Sequence, residues 1–203
     1  MAEQVAKRKE SGEQRRSAIL QAARTVFARK GYVSTVVEDI AAEAGIGKGT
    51  LYLYFPSKEQ IYLAALLENA RSLDTELRRA VTAAKTWQEA LHAYVEVRLR
   101  YFDAHQDFLR IYMTEFRGMC MQGRPLTAEL YRLAEAGEAQ LAHAFAAAVA
   151  RGEMRAVDVE LAAVMVSDVT RGLMERRLRL WGRPGEASDA EFAVEMLCRA
   201  LSL

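Results

Sequence analysis

The sequence predicts an all-α protein: an N-terminal three-helix bundle that contains a helix-turn-helix, followed by a larger helical domain, with about nine helices in total. Apolar residues recur at helical spacing along most of the chain, and no alternating strand pattern competes with them. Glycines fall where several of these segments end. A length of 203 residues suits one small and one medium-sized unit.

The first helix is predicted after a polar N-terminal segment. Residues 1–12 are charged and lack periodicity, so we expect a flexible arm in which Lys7, Arg8 and Lys9 are either solvated or in reach of a nucleic-acid backbone. Gly31 ends the helix that follows. Its apolar face is formed by Ile19, Ala22, Ala23, Val26 and Phe27.

A short second helix is predicted between Thr35 and Gly45. Thr35 can cap the first turn, and Glu38 can reach back to complete a T-x-x-E capping box. Gly45 supplies the positive φ that ends a helix. The apolar stripe between them consists of Val37, Ile40, Ala41 and Ala44.

A third helix over Gly47–Phe55 has a different character. Leu51, Tyr54 and Phe55 can face inward, which leaves small, basic and tyrosine residues more or less outward. A helix that reads DNA needs short side chains near its N-terminus and donors for phosphates and base edges. Residues 36–55 are therefore predicted to be a helix-turn-helix. The alternative is an ordinary helical hairpin with a glycine turn.

Residues 13–73 resemble the TetR family of bacterial transcriptional repressors. The stretches that carry the resemblance are RRSAILQAARTVFARKGY, STVVEDIAAEAGIGKGTLYLYF and PSKEQIYLAAL. Gly47 stands where the family often has Ser or Thr, and Leu53 stands where an aromatic or polar residue is frequent, so the bases that are read stay open. The resemblance implies that the following residues touch DNA: Thr35, Gly47, Lys48, Gly49, Thr50, Tyr52, Tyr54 and Lys58.

The rest of the chain reads as further helices, and the resemblance implies that residues 74–203 form a ligand-binding and dimerisation domain. The segment RGMCMQGRP, residues 117–125, interrupts the helical pattern, and residues 181–188 are predicted to be a loop with Ser188 as the next cap. The predicted helices run from Ser57 to about Ala80, from Thr86 onward, from about Leu126 to Arg151 with Gly152 as its stop, over 158–181 and over 189–203.

A homodimer is expected from the last two helices. The resemblance implies that helices 158–181 and 189–203 pair with those of a second subunit, and both have apolar residues on more than one face. A single helix-turn-helix reads few base pairs, so two copies on a palindromic operator supply the missing affinity. For any one of these residues, packing within the subunit is the alternative.

The resemblance also implies a small-molecule pocket within residues 86–181, whose occupant changes the spacing of the two DNA-binding heads. Aromatic and methionine side chains in this region suit a small, largely apolar effector, and core packing is the alternative. Arg98, Arg110 and Arg171 can hold an anionic ligand or form surface pairs. The predicted lining residues are Tyr94, Arg98, Tyr101, Phe102, Phe108, Tyr112, Phe116, Met165 and Val169.

Charge is distributed unevenly along the chain. Residues 1–60 hold 10 basic and 7 acidic residues, a net +3, whereas residues 61–203 hold 18 and 20, a net −2. Non-specific nucleic-acid binding draws on phosphate neutralisation over a broad basic surface, so this balance argues against a protein that covers DNA without sequence choice.

Catalytic motifs are missing from the sequence. His92, His105 and His143 are scattered, and no H-E-x-x-H, G-x-S-x-G or phosphate-binding loop occurs, so we expect neither an enzyme nor a metal or cofactor. Cys120 and Cys198 give no disulfide framework and no zinc spacing. Cys120, between two methionines, is either an oxidation sensor or an idle thiol.

The hypothesis from sequence is a cytoplasmic, sequence-specific transcriptional regulator that binds DNA. No signal peptide and no apolar run of about 18 residues is recognisable. We expect a repressor that a small, largely apolar ligand releases from its operator. The alternative is a redox-responsive or ligand-independent regulator of the same fold.

Overall fold

The computed structural model describes residues 2–111, 125–179 and 188–203, and within them the side chains of 12–106, 109–111, 128–179 and 189–203. This part of the chain is helical and contains no strand, which confirms the all-α prediction. Eight of the roughly nine predicted helices lie in it. They are α1 (Ala2–Lys30), α2 (Val37–Glu43), α3 (Lys48–Tyr54), α4 (Lys58–Ala83), α5 (Trp87–Ile111), α6 (Pro125–Ala150), α7 (Val159–Arg179) and α8 (Ser188–Leu201). No helix among the described residues is long and apolar enough to cross a membrane.

Two compact units make up the chain. The first unit contains residues 1–69 and 107–127, and the second contains residues 70–106 and 128–203. The expected boundary between residues 73 and 74 and the division between residues 69 and 70 both fall inside α4, which is one uninterrupted helix. The described residues 107–111 and 125–127 group with the first unit. The expected domain boundaries stay a prediction.

The core of the first unit confirms the predicted apolar stripes. All five predicted core residues of α1 are buried, and Ile40 of α2 and Leu51 of α3 are fully buried with them. The ring of Phe27 meets that of Tyr62 edge to face at 5.1 Å between centroids, and Tyr32 approaches Tyr62 in the same way at 5.5 Å. Helix α1, the segment after it and the start of α4 therefore share one small aromatic cluster.

Helix α1 begins at Ala2, so the backbone of residues 2–12 is helical, whereas we predicted an arm without periodicity. The segment is rich in Ala, Glu, Gln, Lys and Arg, which are good helix formers, and it contains no proline. Gly12 costs only about 1 kcal/mol in a helix. Since propagation from an existing helix is easier than nucleation, the segment extends α1 without an apolar face.

Glycines end the helices as predicted. Gly31, Gly45 and Gly152 have φ values of 78°, 65° and 69°, a region in which other residues are strained. The predicted ends of α1, α2 and α6 are therefore confirmed.

The second unit packs around the start of α5. The indole of Trp87 is buried, meets the ring of Phe145 edge to face and donates to the carbonyl of Glu153 at 3.1 Å.

Helix α5 departs from helical geometry at His105, where φ is −124° and ψ is 17°. The His105 ring stacks on that of Tyr101 with 4.2 Å between centroids.

A buried ion pair fixes the last two helices to each other. The side chains of Arg177 on α7 and Asp189 on α8 are only 10% and 7% exposed, and Arg177 Nε donates to Asp189 Oδ2 at 3.1 Å. Arg177 also pairs with Asp103 of α5. The hydrogen bonds to Asp189 raise the pKa of Arg177 above its ordinary value. The ion pair consequently fixes the orientation of the outward faces of α7 and α8 relative to each other.

Candidate nucleic-acid interface

A tight turn joins α2 to α3. The backbone N–H of Ala44 donates to the carbonyl of Ile40 at 2.9 Å, and that of Ile46 donates to the carbonyl of Ala41 at 2.9 Å. Gly45 takes the left-handed conformation between them, and Gly47 is the N-cap of α3. With Ile40 and Leu51 both buried, the arrangement is a helix-turn-helix, as the sequence predicts.

The predicted cap of α2 is shifted by one residue. Val36, not Thr35, is the N-cap, and its backbone N–H donates to Asp39 Oδ2 at 3.3 Å. The hydrogen bond from Lys30 is the main cause that lowers the pKa of Asp39, and the hydrogen bond from the Val36 backbone lowers it further. The Thr35 hydroxyl instead donates to the carbonyl of Gly31 at 2.6 Å. Thr35 is 1% exposed, so the structure places this predicted DNA contact in the interior.

Helix α3 presents most of the other predicted contacts to solvent. Gly47, Lys48 and Gly49 are exposed, Tyr52 is 43% exposed, and Thr50 and Tyr54 are half-buried. A Cβ added at Gly47 or Gly49 would meet no atom within 4 Å, and neither glycine has a positive φ. The fold therefore does not require glycine at these positions. A close approach of another molecule to the backbone would require it.

Lys48 forms an ion pair with Glu38 of α2, the residue that we predicted to complete the capping box. Both side chains are about half exposed, at 52% and 54%. The hydrogen bond from Lys48 lowers the pKa of Glu38, and the same bond raises the pKa of Lys48. Lys48 Nζ also lies 5.8 Å from the centroid of the Tyr52 ring. A phosphate that binds Lys48 would therefore compete with Glu38 for the ammonium group.

Lys58, predicted to contact a phosphate, is committed to the fold. Its ammonium donates to the carbonyls of Tyr32 at 2.7 Å, Thr35 at 2.8 Å and Val33 at 3.3 Å. It also lies 4.4 Å from the centroid of the Tyr32 ring. An ammonium group has three protons, and three carbonyls accept here. Lys58 is thus a positioning residue that ties the segment before α2 to the start of α4.

Exposed apolar residues lie in and beside the helix-turn-helix; Val33 and Val36 were missed by the sequence analysis, whereas Leu53 was expected to face outward. Val33 and Val36 are 78% and 52% exposed just before α2, and Leu53 is 85% exposed on α3. Such side chains suit contact with thymine methyl groups. The only sequence signal was that Val33 and Val36 stand outside the apolar stripe of α2.

Several other cations of the first unit are paired within it. Arg24 Nη1 lies 3.0 Å from Glu68 Oε2, and Lys30 Nζ lies 2.7 Å from Asp39 Oδ1. Arg29 lies 3.5 Å from Glu43. Among the side chains of this unit that the structure describes, these three cations are thus compensated locally.

The second unit contains a cavity of about 130 Å³ that is lined by Tyr94 and Arg98, two of the residues predicted to line a pocket. Tyr101 and Phe102 are buried, Tyr101 against His105. The side chain of Phe108 and all of Tyr112, Phe116 and Cys120 lie outside the described residues. The other lining residues are Ala70, Leu73, Asp74, Leu77, Leu130, Leu133, Ala134 and Gly137.

Met165 and Val169 do not fit their predicted place in the pocket. They are 56% and 39% exposed on α7. Helical spacing identifies an apolar face without showing whether it meets a cavity or solvent. Among the described residues, no group of three His, Cys, Asp or Glu side chains is arranged to hold a metal ion.

Comparison with known proteins finds a family match over the region that contains the helix-turn-helix. A family model described as "Bacterial regulatory proteins, tetR family" matches residues 19–65. The transcriptional repressor KstR2 of Rhodococcus jostii is 33% identical over 110 residues, which are 54% of this chain and 54% of that protein. Curated relatives at 26–41% identity are covered over only 33–54% of their own length.

Solved structures extend the likeness over most of the chain. The TetR-family transcriptional regulator PfmR of Thermus thermophilus is 27% identical, with a TM-score of 0.70 over 89% of this chain and 97% of that one. The regulator FadR of Bacillus subtilis, solved in complex with stearoyl-CoA, has a TM-score of 0.76 at 21% identity, over 89% and 96%. Residues 19–65 thus match the tetR family of bacterial regulatory proteins, and the chain shares its fold with solved TetR-family regulators over most of its length.

Proposed function

We propose that this chain is a sequence-specific transcriptional repressor that binds a palindromic operator as a homodimer and that a small, largely apolar ligand releases from DNA. One observation carries the proposal. Helix α3 exposes Lys48, Gly49 and Tyr52 at the outer side of a helix-turn-helix whose apolar side is buried. As DNA is the partner, we expect the site of action to be the cytoplasm.

Docking through α3 would combine backbone approach with a few directed donors. Gly47 and Gly49 have no side chains at the start of α3, so phosphate or base edges can come close to the backbone at these two positions. Lys48 supplies a point charge, and the hydroxyl of Tyr52 ends a rigid side chain that suits a phosphate oxygen. Leu53 offers an apolar contact rather than a hydrogen bond, which limits what this position reads.

A second copy of the chain supplies the rest of the affinity. An apolar face on α7 continues onto α8 and is open to solvent, because its large side chains are 39–66% exposed. An apolar face of this kind is typical of a subunit interface, and two helices from each copy would form a four-helix bundle. The residues of this face are Leu161, Val164, Met165, Val169, Phe192 and Met196.

The effector is proposed to bind in the cavity of the second unit. FadR, which shares the fold, was solved with stearoyl-CoA, a ligand with a long apolar chain. The walls of this cavity include leucines, and Arg98 and Tyr94 also line it. A ligand that prefers one arrangement of these helices would shift the equilibrium away from the DNA-binding form.

The two lysines of the helix-turn-helix region are predicted to behave differently when mutated. Lys48→Ala should weaken operator binding and reduce the slope of log K against log salt by about 1, because one phosphate contact is lost. Lys58→Met should lower the free energy of unfolding by about 1–3 kcal/mol, because it leaves carbonyls without their charged donor. Fluorescence anisotropy over a salt series and urea denaturation measure the two effects.

Lys85→Ala, an exposed lysine of the second unit, serves as the control and should change neither quantity. An unchanged salt slope in Lys48→Ala would show that α3 does not dock as proposed.

Removing the competitor of Lys48 is predicted to strengthen DNA binding. Glu38→Gln leaves Lys48 without its ion pair and removes a negative charge next to the phosphates, so operator affinity should rise several-fold, most at low salt. Glu43→Gln makes the same change on α2 at a carboxylate that pairs with Arg29. Electrophoretic mobility shift at two salt concentrations compares them. If Glu38→Gln binds no better than Glu43→Gln, Glu38 does not compete with DNA.

A charge in the apolar face of α7 and α8 is predicted to separate the subunits. Phe192→Asp places a carboxylate where the side chain is 66% exposed in the single chain and buried in the proposed dimer. Sedimentation velocity should then show a monomer, and operator affinity should fall by about 100-fold or more with the loss of bivalency. Tyr131→Asp, at an aromatic residue of α6 that is 51% exposed, should leave the dimer intact. A Phe192→Asp variant that remains dimeric would place the interface elsewhere.

A further inference from the structure

Arg98 is a charged residue with only neutral partners. Its Nη1 donates to the Tyr94 hydroxyl at 2.6 Å and to Ser167 Oγ at 2.7 Å. Its Cζ lies 5.1 Å from the centroid of the Tyr94 ring. Among the described residues, no carboxylate lies within ion-pair distance of this guanidinium. A half-buried positive charge of this kind lacks the anion that normally accompanies it.

One edge of the guanidinium has no acceptor. The Nε of Arg98 is buried and has no hydrogen-bond acceptor. Both protons of Nη1 are used by the two hydroxyls, so Nε and Nη2 form the remaining pair of donors on one side of the plane. Two parallel N–H groups on a guanidinium edge match the two oxygens of a carboxylate.

The cavity beside Arg98 supplies room for an apolar body. Its walls include Leu73 and Leu77 of α4 and Leu130 and Leu133 of α6. Leu77 packs closely against Gly137, because an added Cβ at Gly137 would lie 3.0 Å from Leu77 Cδ2. A volume of about 130 Å³ limits the occupant to a small molecule.

The charges around the cavity favour a monoanion. Asp74 also lines it, but both of its carboxylate oxygens accept from Arg78 Nη2, at 3.1 and 3.2 Å. Asp74 is therefore already compensated, whereas Arg98 is not. A dianion such as phosphate would face the Asp74 carboxylate with a single guanidinium to balance it, so a singly charged carboxylate suits the site better.

We propose that this cavity binds a small aliphatic carboxylate, with the carboxylate on the Nε–Nη2 edge of Arg98 and the chain between the leucines. The proposal rests on the proposed function and names the chemical class of its effector. Ser167 belongs to α7, the helix that carries the proposed subunit face. A ligand that draws Arg98 towards the cavity would act on α7 through the bond to Ser167.

Calorimetric titration of the full chain with hexanoate and octanoate, and with hexanamide and octanamide, tests the charge requirement without any variant. The acids should bind at least about tenfold more tightly than the amides, because the amide has the same shape without the charge. Equal affinities for acid and amide would overturn the proposal.

Variants test the role of the guanidinium. Arg98→Met should abolish octanoate binding, and Arg98→Lys should weaken it at least several-fold, because the ammonium keeps the charge but not the paired donors. Arg100→Met, an exposed arginine on the same helix whose side chain is 60% exposed, should bind octanoate like the unmodified chain. If Arg98→Met does not fold by circular dichroism, Arg98→Lys decides, and undiminished binding in that variant would overturn the proposal.

Operator binding in the presence of octanoate separates this proposal from the proposed function. Octanoate that binds through Arg98 and leaves DNA affinity unchanged would support the carboxylate site and contradict the effector role. A neutral compound that releases DNA while octanoate does not bind would support the effector role and overturn the carboxylate site.

Discussion

The hydrogen bonds from Lys58 to the segment before α2 are the constraint on which the geometry of the first unit depends. One ammonium at the start of α4 gathers the carbonyls of Tyr32, Val33 and Thr35, while the Thr35 hydroxyl bonds back to Gly31. These contacts fix where the chain leaves α1 and where α2 begins. The tight turn at Gly45 then fixes α3 relative to α2. Lys58 thus holds the exposed face of α3 in place, although the resemblance implied that Lys58 itself contacts DNA.

Local patterns were enough to predict the helices, and long-range contacts decided the roles of single residues. The apolar stripes of α1 and α2 and the glycines at 31, 45 and 152 are set by neighbours in sequence, so spacing predicted them. Lys58 bonds to carbonyls 23–26 residues away, and Lys48 pairs with a residue 10 positions away. Sequence spacing does not contain such contacts. The cap assigned to Thr35 and Glu38 is built from Val36 and Asp39 instead, because the Thr35 hydroxyl bonds to Gly31 and Glu38 pairs with Lys48.

The candidate effector site also shows the difference between what local spacing predicts and what long-range contacts decide. Tyr94 and Arg98 lie one turn apart on the apolar helix α5, and both line the cavity. Met165 and Val169 have an equally apolar pattern but lie on the exposed face of α7. Periodicity does not distinguish a wall of a cavity from a surface that a second subunit covers. The proposed dimer and the proposed carboxylate site meet on α7, which carries Ser167 towards Arg98 and the apolar residues towards solvent.

Sequence-specific operator binding by two symmetric copies is the central claim of this account. Footprinting of the full chain on the DNA around its own gene tests it most directly. We expect one protected palindromic stretch, with two half-sites separated by about one helical turn or a multiple of it. Uniform, weak protection along the whole fragment, without a symmetric site, would contradict the claim.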